Sequence, residues 1–298
     1  SVLSIGLDKE NFTGIINYNW QPKSDTSLRF DLVNIQFIRN LNSGNYFNVY
    51  KSSYNRLNDL AQTYSIDPND FENNKLTDNG AVNFINDVII GNTALTQGQS
   101  DYEAVRSIGE RRKRLIENNL IVSSALTFTK NTRKGLQDDT FYSFKTKFES
   151  AGNLSSLISR QINEKRSDNG NETLFGIEYA QYIKGEFDLV KHWGFGKKRV
   201  LTFRTFAGLA VPYGNAKSIP FSRSYFAGGS NDNRGWQAYS LGPGSSGGIN
   251  DFNEANLKLA GSIEYRFNIA GKINGALFAD AGNIWNIFDN IEDKAYTF

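Results

Sequence analysis

From Asn256 to Ile269 the chain alternates without interruption. Asn256, Lys258, Ala260, Ser262, Glu264, Arg266 and Asn268 fall on one phase. Leu257, Leu259, Gly261, Ile263, Tyr265, Phe267 and Ile269 fall on the other. Successive strand side chains point to opposite faces, so this is a strand with one charged face and one apolar face. The pattern recurs at 11–20 (Phe12, Ile16, Tyr18, Trp20), 119–131 (Leu120, Val122, Leu126, Phe128), 140–150 (Tyr142, Phe144, Phe148) and 174–189 (Phe175, Ile177, Tyr179, Ile183, Phe187, Leu189). Residues 27–39 begin on the phase of Leu28, Phe30 and Leu32. They then switch to Val33, Ile35 and Phe37, as a β-bulge would make them do. Residues 199–213 and 272–286 are strand-like but mixed.

The connections alternate in length. Gln21–Asp25, Lys134–Asp139, Lys191–Lys198 and Ala270–Gly271 are short; Leu41–Asn118, Ala151–Asn171 and Asn215–Asp251 are long. An antiparallel meander with short turns at one end and long loops at the other is the layout of a transmembrane β-barrel, long loops outside. Segments such as 119–131 and 256–269 exceed the roughly 5–6 residues usual in soluble strands. They suit a tilted bilayer crossing, which takes about 9–11 residues plus overhang. A secreted β-sandwich also alternates, but favours shorter strands and does not order its loops this way. The expected fold is therefore all-β, a partial antiparallel transmembrane barrel. Within the loop 41–118, Leu57, Leu60, Ala61 and Tyr64, and again Ala81, Phe84, Ile85 and Val88, repeat at helical spacing, predicting short helices in an outer cap.

Composition narrows the classes. No apolar run approaches 18 residues and hydrophobic residues make up 39%, which excludes a helical membrane protein. With 33 Lys and Arg against 31 Asp and Glu, nothing calls for a nucleic-acid partner. Cysteine is absent and His192 is the single histidine, so neither a thiolate nor a histidine-based metal site can be built and no cofactor is expected.

The loop 215–251 is too specific in composition for a solvated connection. It carries Ile219-Pro220-Phe221-Ser222-Arg223-Ser224-Tyr225-Phe226-Ala227-Gly228-Gly229, then Asn233-Arg234-Gly235-Trp236, then Ser240-Leu241-Gly242-Pro243-Gly244. It resembles the inward-folded loop of the BamA/TamA superfamily of outer-membrane assembly barrels (the bacterial surface antigen family), marked by Val-Arg-Gly-Phe/Tyr and a following Leu/Ile-Gly-Pro. Leu277-Phe278-Ala279-Asp280-Ala281-Gly282-Asn283-Ile284-Trp285 is similar to that family's fourth strand from the end. With Phe148-Glu149-Ser150-Ala151-Gly152-Asn153-Leu154, the chain most resembles the TamA-like lipoprotein branch of Bacteroidota, over essentially its whole length.

The resemblance implies that Arg234 folds back into the lumen and pairs with Glu264 and Asp280 on the inner wall. Gly235 would permit the tight backbone at the tip and Trp236 would wedge the tip against the wall. Glu264 falls on the polar phase of its strand independently of any resemblance. Asn233 stands where the family usually has Val, a change that bears on the packing of the tip and not on the arginine contact. The implied function is a non-enzymatic factor of the bacterial outer membrane that helps insert or export other proteins. Its partners would be outer-membrane lipid, client outer-membrane or secreted proteins, and periplasmic or lipoprotein accessories. A two-partner secretion transporter of the same superfamily and a passive porin or uptake barrel are the alternatives.

Other motifs carry less. The glycine-rich stretch 242–248 lacks the Lys-Ser/Thr ending of a phosphate loop. Gly244-Ser245-Ser246-Gly247-Gly248 matches a nucleophile elbow in letters, but lacks the strand before and helix after it. His192 is expected in a short turn beside Trp193. Arg111-Arg112-Lys113-Arg114 reads as a solvated loop base or, more sharply, as a contact for lipid phosphates. The resembled barrel has about sixteen strands behind periplasmic domains. Residues 1–298 would supply about eight and a half of them, from a strand tail before Gly6 to an outer loop at Asp289–Phe298.

Overall fold

The structure is a computed structural model, describing residues 9–167, 170–196, 198–246 and 253–287. The expected strand tail before Gly6, the segment Asp289–Phe298 and the end of the glycine-rich stretch lie outside the described residues. The chain divides into two compact units.

The larger unit (Phe12–Phe37, Asn119–Ser245, Asn253–Phe298) contains most of an eight-stranded antiparallel sheet. In chain order the strands are β1 (Lys9–Lys23), β2 (Thr26–Asn40), β5 (Asn119–Asn131), β6 (Tyr142–Ala151), β9 (Tyr182–Gly194), β10 (Val200–Pro212), β11 (Leu257–Ala270) and β12 (Ile273–Trp285). Spatial order follows this chain order, a pure meander. Two small hairpins supply the remaining strands: β3 (Phe71–Glu72) with β4 (Lys75–Leu76), and β7 (Thr173–Leu174) with β8 (Ile177–Glu178).

The register carries the facing rule across the sheet. Lys145 pairs with Asp188, Lys147 with Glu186 and Glu149 with Lys184 between β6 and β9. Arg204 lies opposite Ser262, and Ser262 opposite Asp280. All of these belong to one polar face. On the other face Leu126, Phe148, Ile183, Phe187, Leu209, Leu259, Ile263 and Leu277 remain exposed. Large apolar side chains uncovered along one whole face, opposite a charged one, are what a barrel wall turned toward lipid presents. Exposure changes phase along β2, from Phe30 and Leu32 to Ile35, as the alternation predicts.

Residues 174–189 are not one strand. Phe175 and Gly176 take positive φ (55° and 73°) and turn the chain between β7 and β8, so the long strand starts only at Tyr182 and runs on to Gly194. His192 therefore lies inside β9, not in a turn. It meets the Thr202 hydroxyl at 2.9 Å and stacks on Phe141 at 4.3 Å.

The smaller unit (Ser1–Asn11, Ile38–Asn118, Ser246–Phe252) is mainly helical: α1 (Tyr46–Val49), α2 (Lys51–Tyr64), α3 (Asp78–Ile90) and α4 (Ser100–Ile116). Both predicted helices are present as α2 and α3, with Leu57, Ala81, Phe84 and Val88 fully buried. The Thr77 hydroxyl caps α3 by accepting from the Gly80 N–H at 2.9 Å. The basic run 111–114 is not a loop base, because it forms the last turns of α4. Arg111 sits over the Tyr50 ring and Arg112 over Phe47, while Arg114 is buried beside Glu110. Three of its four cations are thus packed inside their own unit, which removes the basis for a lipid-phosphate contact there. A fifth helix, α5 (Asn153–Gln161), follows β6 in the larger unit.

Candidate functional site

The site is built where loop residues 213–245 lie against the polar face of β6 and β9–β12. Glu264 and Asp280 come from neighbouring strands whose register sets Ser262 opposite Asp280 and Glu264 opposite Phe278. The two carboxylates are thus diagonal neighbours, with Phe278 between them on the same face. A one-residue slip would turn Asp280 to the apolar side.

Arg234 fills this frame. Its Nε and Nη2 donate to Asp280 Oδ2 and Oδ1 at 2.8 and 2.7 Å, and its backbone N–H donates to Oδ2 at 3.1 Å. Nη1 donates to Glu264, whose other oxygen accepts from Arg266. The guanidinium carbon lies 3.6 Å from the centre of the Phe278 ring. The planar fork matches Asp280 on one side, Glu264 on the other and the aromatic face beneath, an arrangement that lysine cannot reproduce. The Asp280 hydrogen bonds, with Glu264, hold the guanidinium proton more tightly than usual.

The other two residues of the tip behave differently from expectation. Trp236 does not wedge the tip; it is 48% exposed. The turn closed by Trp236 N–H donating to Asn233 O directs the indole away, and Phe278 supplies the aromatic contact from the wall instead. Gly235 has open space around a would-be Cβ and no positive φ. The tight approach falls on Gly228, at φ +94°, where a Cβ would meet Gln237 O at 2.1 Å. Asn233 is buried at the position usually held by Val.

The loop is held at further points outside its Arg-Gly-Trp tip. Glu149, only 1% exposed, accepts from Lys147 Nζ at 2.6 Å and from the Tyr182 hydroxyl at 2.6 Å. Arg223 of the loop reaches the same carboxylate at 3.4 Å and donates to Tyr182 Oη at 3.1 Å. Lys258 Nζ pairs with Asp232 at 2.9 Å and donates to Phe226 O at 2.8 Å, and Arg204 donates to Asn231 O at 2.8 Å. Tyr225 exchanges backbone hydrogen bonds with Ala255, and Phe226 stacks on Tyr239 at 4.1 Å. Glu149 stood on the polar phase of its strand and was visible as such. Its partner Arg223 carried no signal beyond lying in an unusual loop. An open pocket of about 510 Å³ remains between the loop and the wall, lined by the charged Lys184, Glu186, Arg204 and Lys258 and by the rings of Phe206 and Phe226.

An antiparallel meander with an apolar outer face, and a charged inner face on which one long loop is ionically docked, defines a barrel wall of the membrane-spanning kind. The chain matches the Omp85 superfamily domain over residues 3–297 and belongs to that superfamily. Among solved structures it is similar to BamA from Haemophilus ducreyi lacking POTRA domains 1–3, with a TM-score of 0.54 at 13% identity. That match covers 95% of this chain but 43% of the other, so the chain spans less than half of the protein it resembles in fold. The fold is thus part of a transmembrane β-barrel with long outer loops.

Proposed function

We propose that the chain is the barrel portion of a bacterial outer-membrane factor that helps insert or export other proteins, without enzymatic chemistry of its own. The observation that carries this reading is the Arg234–Asp280–Glu264 frame. It holds a long loop against the inner wall, as suits a barrel whose lumen is occupied and not left open as a conduit. Superfamily membership supports assembly or translocation as the general class of activity. Within the superfamily, the segment Phe148–Leu154 and the tip motif favour the TamA-like lipoprotein branch of Bacteroidota. On this reading the partners are outer-membrane lipid, client outer-membrane or secreted proteins, and periplasmic or lipoprotein accessories.

The test is reconstitution of the full-length protein in vesicles, followed by insertion of a newly synthesised client barrel scored by its heat-modifiable mobility. Faster insertion than in empty vesicles, lost on Arg234→Ala, is expected. A large steady ion conductance with no effect on client insertion would overturn the proposal in favour of a passive pore.

A further inference from the structure

Helix α5 is inside out. Ser155, Ser156 and Ser159 form its buried side, while Leu154, Leu157, Ile158 and, one residue past its end, Ile162 are exposed, Leu157 at 58%. These four recur at i, i+3, i+4 and i+8 and so share one face. The direction of the helix is fixed at its start. Gly152 caps it at φ +83°, where a Cβ would meet Ala180 O at 2.3 Å. Tyr213 Oη also donates to Asn153 Oδ1 at 2.7 Å. Beyond its end, Glu164 Oε2 accepts the Phe175 N–H at 2.9 Å, setting that strongly exposed phenyl ring at the tip of the β7–β8 turn.

The helix adjoins a surface already assigned. α5 begins two residues after β6 ends, at the long-loop end of the sheet, where exposed Phe148 and Leu126 sit opposite each other in register and belong to the bilayer-facing side. Beside it stand Arg160, Lys165 and Arg166, all exposed; the two arginines share the single carboxylate Glu172 at 3.5 and 3.7 Å. An apolar stripe flanked by cations at the rim of a bilayer-spanning wall has the chemistry of an interfacial helix.

We propose that α5 lies in the interfacial plane of the outer leaflet, with Leu154, Leu157, Ile158 and Ile162 among acyl chains and Arg160, Lys165 and Arg166 at lipid phosphates. This rests on the reading of the sheet as a bilayer-facing wall, and the experiment separates the two. The 298-residue chain has no cysteine, so Leu157→Cys and Ile263→Cys, each in a background of the full-length protein free of other cysteines, carry a fluorophore at one site. They are reconstituted in phosphatidylcholine vesicles containing phosphatidylglycerol and 5-doxyl phosphatidylcholine. Quenching at position 157 reaching at least about half that at 263 is expected for a helix seated at headgroup depth. Quenching by aqueous iodide alone at 157, with lipid quenching at 263, overturns the proposal. Shielding of 157 from both quenchers also overturns it and indicates a protein partner. Absence of lipid quenching at 263 removes the bilayer reading itself. Arg160→Gln with Lys165→Gln and Arg166→Gln lowers lipid quenching at 157 in the anionic vesicles and leaves it unchanged in pure phosphatidylcholine; an unaltered signal in both overturns the phosphate contact.

Discussion

Replacing Arg234 by alanine removes three side-chain hydrogen bonds to carboxylates, two to Asp280 and one to Glu264, together with a cation resting on Phe278. The backbone N–H bond of residue 234 to Asp280 is kept. The Asp280 side chain is only 5% exposed, and alanine takes away the guanidinium that holds its carboxylate. Removing one partner of a buried pair costs about 3–5 kcal/mol, most of it the desolvated charge left behind. Arg234 itself is 23% exposed, which places the expected cost at the lower end, about 3 kcal/mol. That corresponds to roughly a hundredfold shift in the docked-to-undocked ratio of the loop. Hydrogen exchange reads this ratio directly. The Gly229 N–H donates to Trp236 O and the Tyr239 N–H to Ala227 O, and both bonds exist only while the loop is folded. Their amides should exchange about a hundredfold faster in Arg234→Ala, while those of β10 and β11 keep their rates. Asp280→Asn supplies the second arm of a double-mutant cycle and should cost little once Arg234 is gone. Exchange within about threefold of wild type in Arg234→Ala, or equal costs for Asp280→Asn in both backgrounds, would refute the reasoning.

Two other substitutions test the rest of the docking. Glu149→Gln removes the carboxylate shared by Lys147, Tyr182 and Arg223, and should lower barrel stability by about 3 kcal/mol, read as a reduced midpoint of thermal unfolding in lipid; an unchanged midpoint would show that Arg223 does not depend on it. Gly228→Ala places a Cβ within 2.1 Å of Gln237 O and should release the loop, whereas Gly235→Ala meets open space and should be tolerated. Protease sensitivity of residues 226–241 distinguishes them, and equal sensitivity would refute the assignment of the tight backbone to Gly228.

Strand existence and facing were legible because a bilayer crossing forces a period of two over a long stretch. From 119–131 and 256–269 the alternation alone places each side chain on a face, and Glu264 on the polar one. The site was legible through local motif letters, since Arg234 and Asp280 stand in short recognisable segments. What escaped has a physical reason in each case. Residues 174–181 alternate as a strand would, yet the left-handed backbone at Phe175 and Gly176 breaks the run, and neither residue signals it by period. α5 hides because its buried positions are serines, reversing the usual helical pattern. The cations at 111–114 look solvent-directed until the rings of Tyr50 and Phe47, some sixty residues away in sequence, are brought beneath them. The resemblance implies tip roles for Gly235 and Trp236, but the tight backbone lies at Gly228 and the aromatic contact comes from the wall residue Phe278, neither of which belongs to the tip triplet.

The distribution of charge on the wall explains why the loop has one seat. The polar face does not carry a uniform potential: Lys147 neighbours Glu149, Lys184 neighbours Glu186, and Glu264 neighbours Arg266. The loop answers this checkerboard with Arg223 on Glu149, Asp232 on Lys258 and Arg234 on Asp280 and Glu264. A uniformly acidic wall would attract both loop arginines at many positions. On this wall, displacement by one residue pair along a strand takes Arg234 from Glu264 toward Arg266, and Asp232 from Lys258 toward the uncharged Ala260. Like charges brought together at a partly dehydrated contact cost several kcal/mol, so the wall rejects wrong seats as strongly as it holds the right one. The cation–acid alternation that keeps the inner face polar is therefore also what sets the position of the loop.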